Sequence, residues 1–131
     1  MIVLDTHAWV WWTGNPEQLS PRARDACERA MADRGLYISS ISVWEVALLA
    51  RQQRLRLTID AEDWVRKAEA LPFFHFIPVD NNIALRSVAL PESLPRDPAD
   101  RIIVATALTL GAALVTKDWR LRRVRGLTTL W

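Results

Sequence analysis

A chain of 131 residues, 50% of them hydrophobic and 24% charged, has room for one domain with a true core and not for two ordinary ones. Its 17 basic and 15 acidic residues leave a formal net charge of +2, compatible with a nucleic-acid partner without demanding one. The single cysteine, Cys27, excludes a disulfide framework or a cysteine metal cluster and is expected in the core.

The chain opens on "MIVLD", a short β-branched apolar run that reads as a buried strand ending at Asp5. No basic segment precedes it, so no signal peptide is expected. "HAWVWWTG" reads as a short helix closed by Gly14. In "SPRARDACERAMADRG", Ser20 is the expected N-cap, Pro21 the first helical residue and Gly35 the stop. "LYIS" is a second strand, "SVWEVALLARQQ" and "DAEDWVRKAEAL" are helices, and "FIPV" is a third strand. "NIALRSVALP" is a helix stopped by Pro91, and "PADRIIVATALTLG" one closed by Gly111. "AALVT" is a fourth strand and "LTTL" a fifth candidate. The longest uncharged run, residues 102–116, falls short of the roughly 20 apolar residues of a membrane span. A cytoplasmic protein without membrane attachment is expected.

Strands alternate with helices, and the strands are apolar throughout rather than alternating in polarity. That pattern predicts an α/β fold: a parallel sheet of four to five strands with helices on both faces, 1–131 forming a single domain. Ligands of such sheets sit beyond the carboxyl ends of the strands. Asp5 and Asp118 follow two of the strands. Glu45 opens the helix after "LYIS", and Asp97 and Asp100 open a later helix, so all five acids are expected at that edge. Each also has a plainer reading. Ser42 to Glu45 and Asp97 to Asp100 both fit capping boxes. Asp60 to Asp63 has the same spacing before a surface helix and serves as an internal comparison. Glu45 and Asp100 differ from it in the apolar runs that follow them. Buried carboxylates need protonation, basic partners or a cation. An oxygen-only donor set suits Mg²⁺ or Mn²⁺, either of which can activate water against a phosphodiester.

The segments "LDTHAWVWW", "ISSISVWEVA", "DPADRIIVATAL" and "LVTKDWRL", in this order, resemble the PIN-domain ribonucleases, and among them the VapC-like toxins of toxin–antitoxin pairs. The resemblance spans essentially the whole chain. It implies a PIN-like three-layer α/β/α fold and a Mg²⁺- or Mn²⁺-dependent endoribonuclease. Its acidic quartet falls on Asp5, Glu45, Asp100 and Asp118. Thr6 and Thr116 match supporting residues, and Asp97 is an outer-shell ligand or a cap. The resemblance further implies an RNA substrate, an inhibiting antitoxin, of Phd/YefM type from the "LDTH…W" opening, and a homodimer.

The residues outside the quartet are less specific. Arg101, Lys117, Arg120, Arg122, Arg123 and Arg125 could meet RNA phosphates or be solvated surface. His7 and His75 are expected to be structural. Seven tryptophans are many for this length, and Trp9, Trp11 and Trp12 cannot share one buried face. Some are expected at a protein interface or, less readily, against bases. Two rivals remain: a receiver-like module with Asp80 as phospho-acceptor, and a non-catalytic binding relative.

Overall fold

A computed structural model describes residues 1–131. Five strands form: β1 (Ile2–Leu4), β2 (Leu36–Ser39), β3 (Phe74–Ile77), β4 (Ala113–Val115) and β5 (Thr129–Leu130). Six helices lie between them: α1 (Thr6–Gly14), α2 (Pro21–Ala32), α3 (Ser40–Arg51), α4 (Ala61–Glu69), α5 (Asn81–Ala89) and α6 (Pro98–Leu110). Short 3₁₀ turns at Pro16–Gln18 and Trp119–Arg123 were not anticipated from the sequence.

The sheet is wholly parallel, in the order β3-β2-β1-β4-β5. The chain runs outward from β1 to β3, then crosses back to place β4 on the other side of β1. The seam between β1 and β4 is therefore the switch point at which ligands of open parallel sheets bind. Leu4 lies opposite both Ile38 and Val115, so these three strands end level with one another. The receiver arrangement, with order 2-1-3-4-5, is excluded by this topology.

Strand pleating sorts the core into two clusters. Ile2 and Leu4 of β1 join Ala8, Trp9, Ala23, Cys27 and Val46 on one face, where α1 to α4 contribute. Val3 points the other way and meets Ile103, Val104 and Ala107 of α6, with Leu90 beyond α5. The alternation accounts for strands that are apolar at every position: both faces are covered.

Element ends follow local chemistry. Ser20 caps α2 through Ala23, with Pro21 at the first helical position. Gly111, at φ 65°, closes α6 in the left-handed region that favours glycine. At the end of α2 the left-handed residue is Arg34 rather than Gly35. Gly35 lets the chain approach closely, since a Cβ there would stand 3.3 Å from the Met1 backbone. The third strand starts two residues earlier than "FIPV" and stops before Pro78, whose missing N–H cannot extend a ladder.

Trp9 is fully buried, its ring tilted against Trp64 at 4.6 Å and edge-on to Phe76, and it anchors the helix that starts beside Asp5. Its indole nitrogen has no hydrogen-bond partner, so the side chain stabilises by volume alone. Trp9→Ala should cost about 3–5 kcal/mol in urea unfolding, and Trp9→Phe about 1–2 kcal/mol. Equal costs for the two variants would contradict this reading.

Candidate metal-binding site

The carboxyl edge of the β1–β4 seam is built from Asp5 outward. Its N–H donates to the Val115 carbonyl at 3.1 Å, so the residue is still tied to the sheet. Its Oδ1 accepts from the Ala8 N–H at 2.8 Å and caps α1. Burial pushes the Asp5 carboxyl above its ordinary pKa. The Thr116 hydroxyl, the Ala8 amide and the His7 charge pull it back, and Glu45 pushes it up again. Thr116 is buried, and its oxygen also accepts the Asp118 N–H at 3.1 Å. One side chain thus links the residues that follow β1 and β4.

Glu45 does not sit in a capping box. α3 begins at Ser40, two residues earlier than expected, and its N-cap is Ser39, which accepts from Ile41 N–H. Ser42 is therefore inside the helix, and Glu45 lies in the second turn. The Thr6 hydroxyl donates to Glu45 Oε1 at 2.5 Å, and the Ser42 oxygen lies 2.9 Å from the Thr6 oxygen. A hydroxyl has one proton to give. With Thr6 donating to Glu45, Ser42 donates to Thr6, and the chain runs Ser42 to Thr6 to Glu45. Ser42 is fully buried. The capping-box spacing instead predicts Ser42 at the start of the helix. The run of three serines around Ile41 hid which one caps.

Asp97 caps α6, its Oδ1 accepting from Ala99 N–H at 2.9 Å and Asp100 N–H at 3.3 Å. Asp100 makes no reciprocal bond, so its carboxylate is free of capping duty. Burial first, then the charges of Asp97, Glu45, Asp5 and Asp118 in that order, push its pKa up to about 7. All the acids singled out in the sequence thus act on one carboxyl group. Asp60 precedes α4 without making a side-chain cap bond, and Asp63 is exposed. The comparison pair is a solvated helix start rather than a working cap.

Asp118 lies at the rim. Its Oδ1 accepts from the Arg120 N–H at 3.0 Å and Nε at 2.9 Å, and its Oδ2 from Nη2 at 2.8 Å. These bonds hold its carboxyl below the usual range. No three acidic, cysteine or histidine side chains stand close enough to enclose a metal ion. Two of the acids are held by neighbours, Glu45 by Thr6 and Asp118 by Arg120.

Among the basic candidates, Arg120, Arg122 and Arg123 are exposed on the 3₁₀ turn after β4, with Arg125 just beyond it. Lys117 stands 6.0 Å over the Trp11 ring. Arg101 has a structural use: its Nε, Nη1 and Nη2 donate to the carbonyls of Ser87, Pro91 and Leu90, so it fastens the end of α5 to α6. His7 is exposed against Trp11, and His75 lies 2.6 Å from the Arg34 carbonyl. Asp80, the rival phospho-acceptor, caps α5 through Ile83. Of the tryptophans, Trp44 and Trp119 are exposed. Trp44 lines a groove of about 610 Å³ shared with Thr6, His7, Glu45, Leu48 and Asp97.

A parallel sheet with this switch point, and acids from α3, α6 and the ends of β1 and β4 converging on it, defines a class of nuclease-like α/β domains. A model of the PIN domain matches residues 2–127, and the chain belongs to that family. It is 40% identical over 124 residues to ribonuclease VapC22 of Mycobacterium tuberculosis, covering 95% of this chain and 92% of that protein. A toxin–antitoxin complex from Klebsiella pneumoniae contains a chain of 26% identity and TM-score 0.66, with 98% and 97% of the two chains aligned. VapBC2 from Rickettsia felis, solved on promoter DNA, shares the fold at 18% identity and TM-score 0.71, again over 98% and 97%. No helix is long and apolar enough to cross a membrane.

Two outcomes follow from the electrostatics of this edge. Asp100 has a folded pKa of about 7 against an ordinary value of 3.8. Between those values the folded state keeps a proton that the unfolded state has lost, so stability falls as pH rises through that window. Asp100→Asn should therefore be more stable than wild type at pH 7–8 in EDTA. The gain should be about 1–2 kcal/mol, discounted for solvent access, and should close below pH 4. A pH-independent difference in urea unfolding would contradict it. Ser42→Ala, which leaves Thr6 without its buried donor, should cost about 1 kcal/mol in the same assay.

Proposed function

We propose that this chain is a divalent-metal-dependent endoribonuclease that acts as the toxin of a toxin–antitoxin pair. The observation that carries the reading is Asp100. A carboxyl driven to about 7 by burial and four other acids describes a place where negative charge is gathered beyond what the protein itself neutralises. The donor set is oxygen only, which fits Mg²⁺ or Mn²⁺ and not a soft metal. Asp5 and Asp100 would hold the ion, with Glu45 and Asp118 completing the set and Asp97 lending charge from outside. When bound, the ion would supply an activated water and stabilise charge on the leaving oxygen of a phosphodiester.

The chain's own residues account for the rest. Thr116 orients Asp5, and the Ser42–Thr6 pair fixes Glu45, so these ligands would be presented without a rotamer search. The apolar core beneath the seam limits water and strengthens the field of the acids. Lys117, Arg120, Arg122 and Arg123 lie beyond β4 next to the same edge, where RNA phosphates can be received. RNA is favoured as substrate by the 40% identical ribonuclease, and an antitoxin partner by the Klebsiella complex. The Phd/YefM type of that antitoxin, the homodimer and the single domain over 1–131 belong to the same proposal, as does action in the cytoplasm.

The test is cleavage of a labelled RNA with Mg²⁺, Mn²⁺ or EDTA. Wild type should cleave only with metal. Asp5→Asn and Asp100→Asn should each lose on the order of 100-fold or more of that activity while unfolding cooperatively. If both variants cleave as wild type does, the site assignment fails. If wild-type cleavage survives EDTA, the metal reading fails.

A further inference from the structure

Arg120 is the one basic side chain bonded to an acid of the candidate site, and the manner of bonding is specific. Its guanidinium meets both oxygens of Asp118 through Nε and Nη2, a fork-to-fork pair. Its charge also senses Asp100, so the guanidinium lies within the field of the inner acids. The backbone N–H of Arg120 makes a third bond to Oδ1, which sets the carboxylate's direction whatever side chain follows. Three N–H bonds on this carboxylate, two of them from a full positive charge, offset its negative charge and fill most of its lone-pair sites, so a cation must compete with the guanidinium for it.

We propose that Arg120 is a positioning residue that competes with the divalent cation for Asp118. In the cation-free protein it neutralises the fourth acid and keeps it at the rim. An ion loaded at Asp118 displaces or weakens the guanidinium contact. This rests on the metal reading given above. The exchange is feasible because the pair is solvent-exposed on the arginine side, where side-chain exposure is 56%, and such pairs are weak enough to yield to a divalent ion. Arginine suits the task better than lysine, since only its fork covers both oxygens.

Mn²⁺ titration of the full chain without RNA, followed by calorimetry or by the loss of free-ion EPR signal, reads this directly. Arg120→Gln should tighten Mn²⁺ binding about two- to five-fold, the factor by which an exposed ion pair of this kind competes. Arg120→Lys should recover less than half of the competition on a logarithmic scale. Arg122→Gln, two residues on and equal in charge change, should leave the affinity within about 1.5-fold of wild type, a shift of at most roughly a quarter of a kcal/mol. Equal tightening in Arg120→Gln and Arg122→Gln would mean a general field effect and would overturn the proposal. So would an unchanged or weaker affinity in Arg120→Gln with its metal-free melting temperature preserved. Absence of Mn²⁺ binding in wild type and variants alike would overturn the metal reading itself, and the proposal with it. Binding by wild type that is insensitive to residue 120 would overturn only the competition.

Discussion

Repulsion among carboxylates at one sheet edge is the constraint around which this molecule is arranged. Burial raises the proton affinity of Asp5 and Asp100, and at Asp100 the charges of Asp97, Glu45, Asp5 and Asp118 add to it. An unrelieved cluster of this kind opposes folding. The sheet overcomes it by burying apolar surface on both faces of β1 and β4, where Val3, Leu4, Leu114 and Val115 are completely enclosed. The site is thus placed where the core is deepest, and the core stabilises a charge arrangement that is unfavourable on its own.

Capping and ligation are not alternatives here. Asp5 and Asp118 each cap the turn that follows them, yet a carboxylate has two oxygens. In Asp5 the capping bond fixes the side chain by one oxygen and leaves the rest of the carboxylate toward Thr116 and the seam. The cap supplies the orientation that a ligand needs in advance. Asp97 goes furthest in the other direction, giving one oxygen to two amides and acting on Asp100 through charge.

This explains how much could be read in the sequence. The alternation of apolar runs with helical stretches fixed the layers, and strand-end positions identified Asp5 and Asp118, because those depend only on period and order. Glu45 was placed at the right edge for a partly wrong reason. Ser39, Ser40 and Ser42 are all plausible caps, and only the ladder ending at Ser39 decides among them. The Ser42–Thr6–Glu45 chain joins residues 36 and 39 positions apart, which no local pattern reports. The start of β3 was missed because the apolar stretch from Leu71 to Val79 is longer than the strand, and pairing with β2 selects the register.

Arg101 and Arg120 show the same limit from the side of function. Both are arginines close in sequence to a candidate acid, and the sequence offers contact with RNA phosphates for each. The fold separates them. Arg101 points into a ring of carbonyls left open where α5 ends, at Ser87, Leu90 and Pro91, and its charge is spent on helix-end acceptors. Arg120 sits on a 3₁₀ turn whose tight rise folds it back over the residue two before it. The first arginine is a structural bolt that happens to neighbour Asp100. The second covers an acid of the site, and the difference lies in which backbone acceptors tertiary packing leaves unpaired nearby.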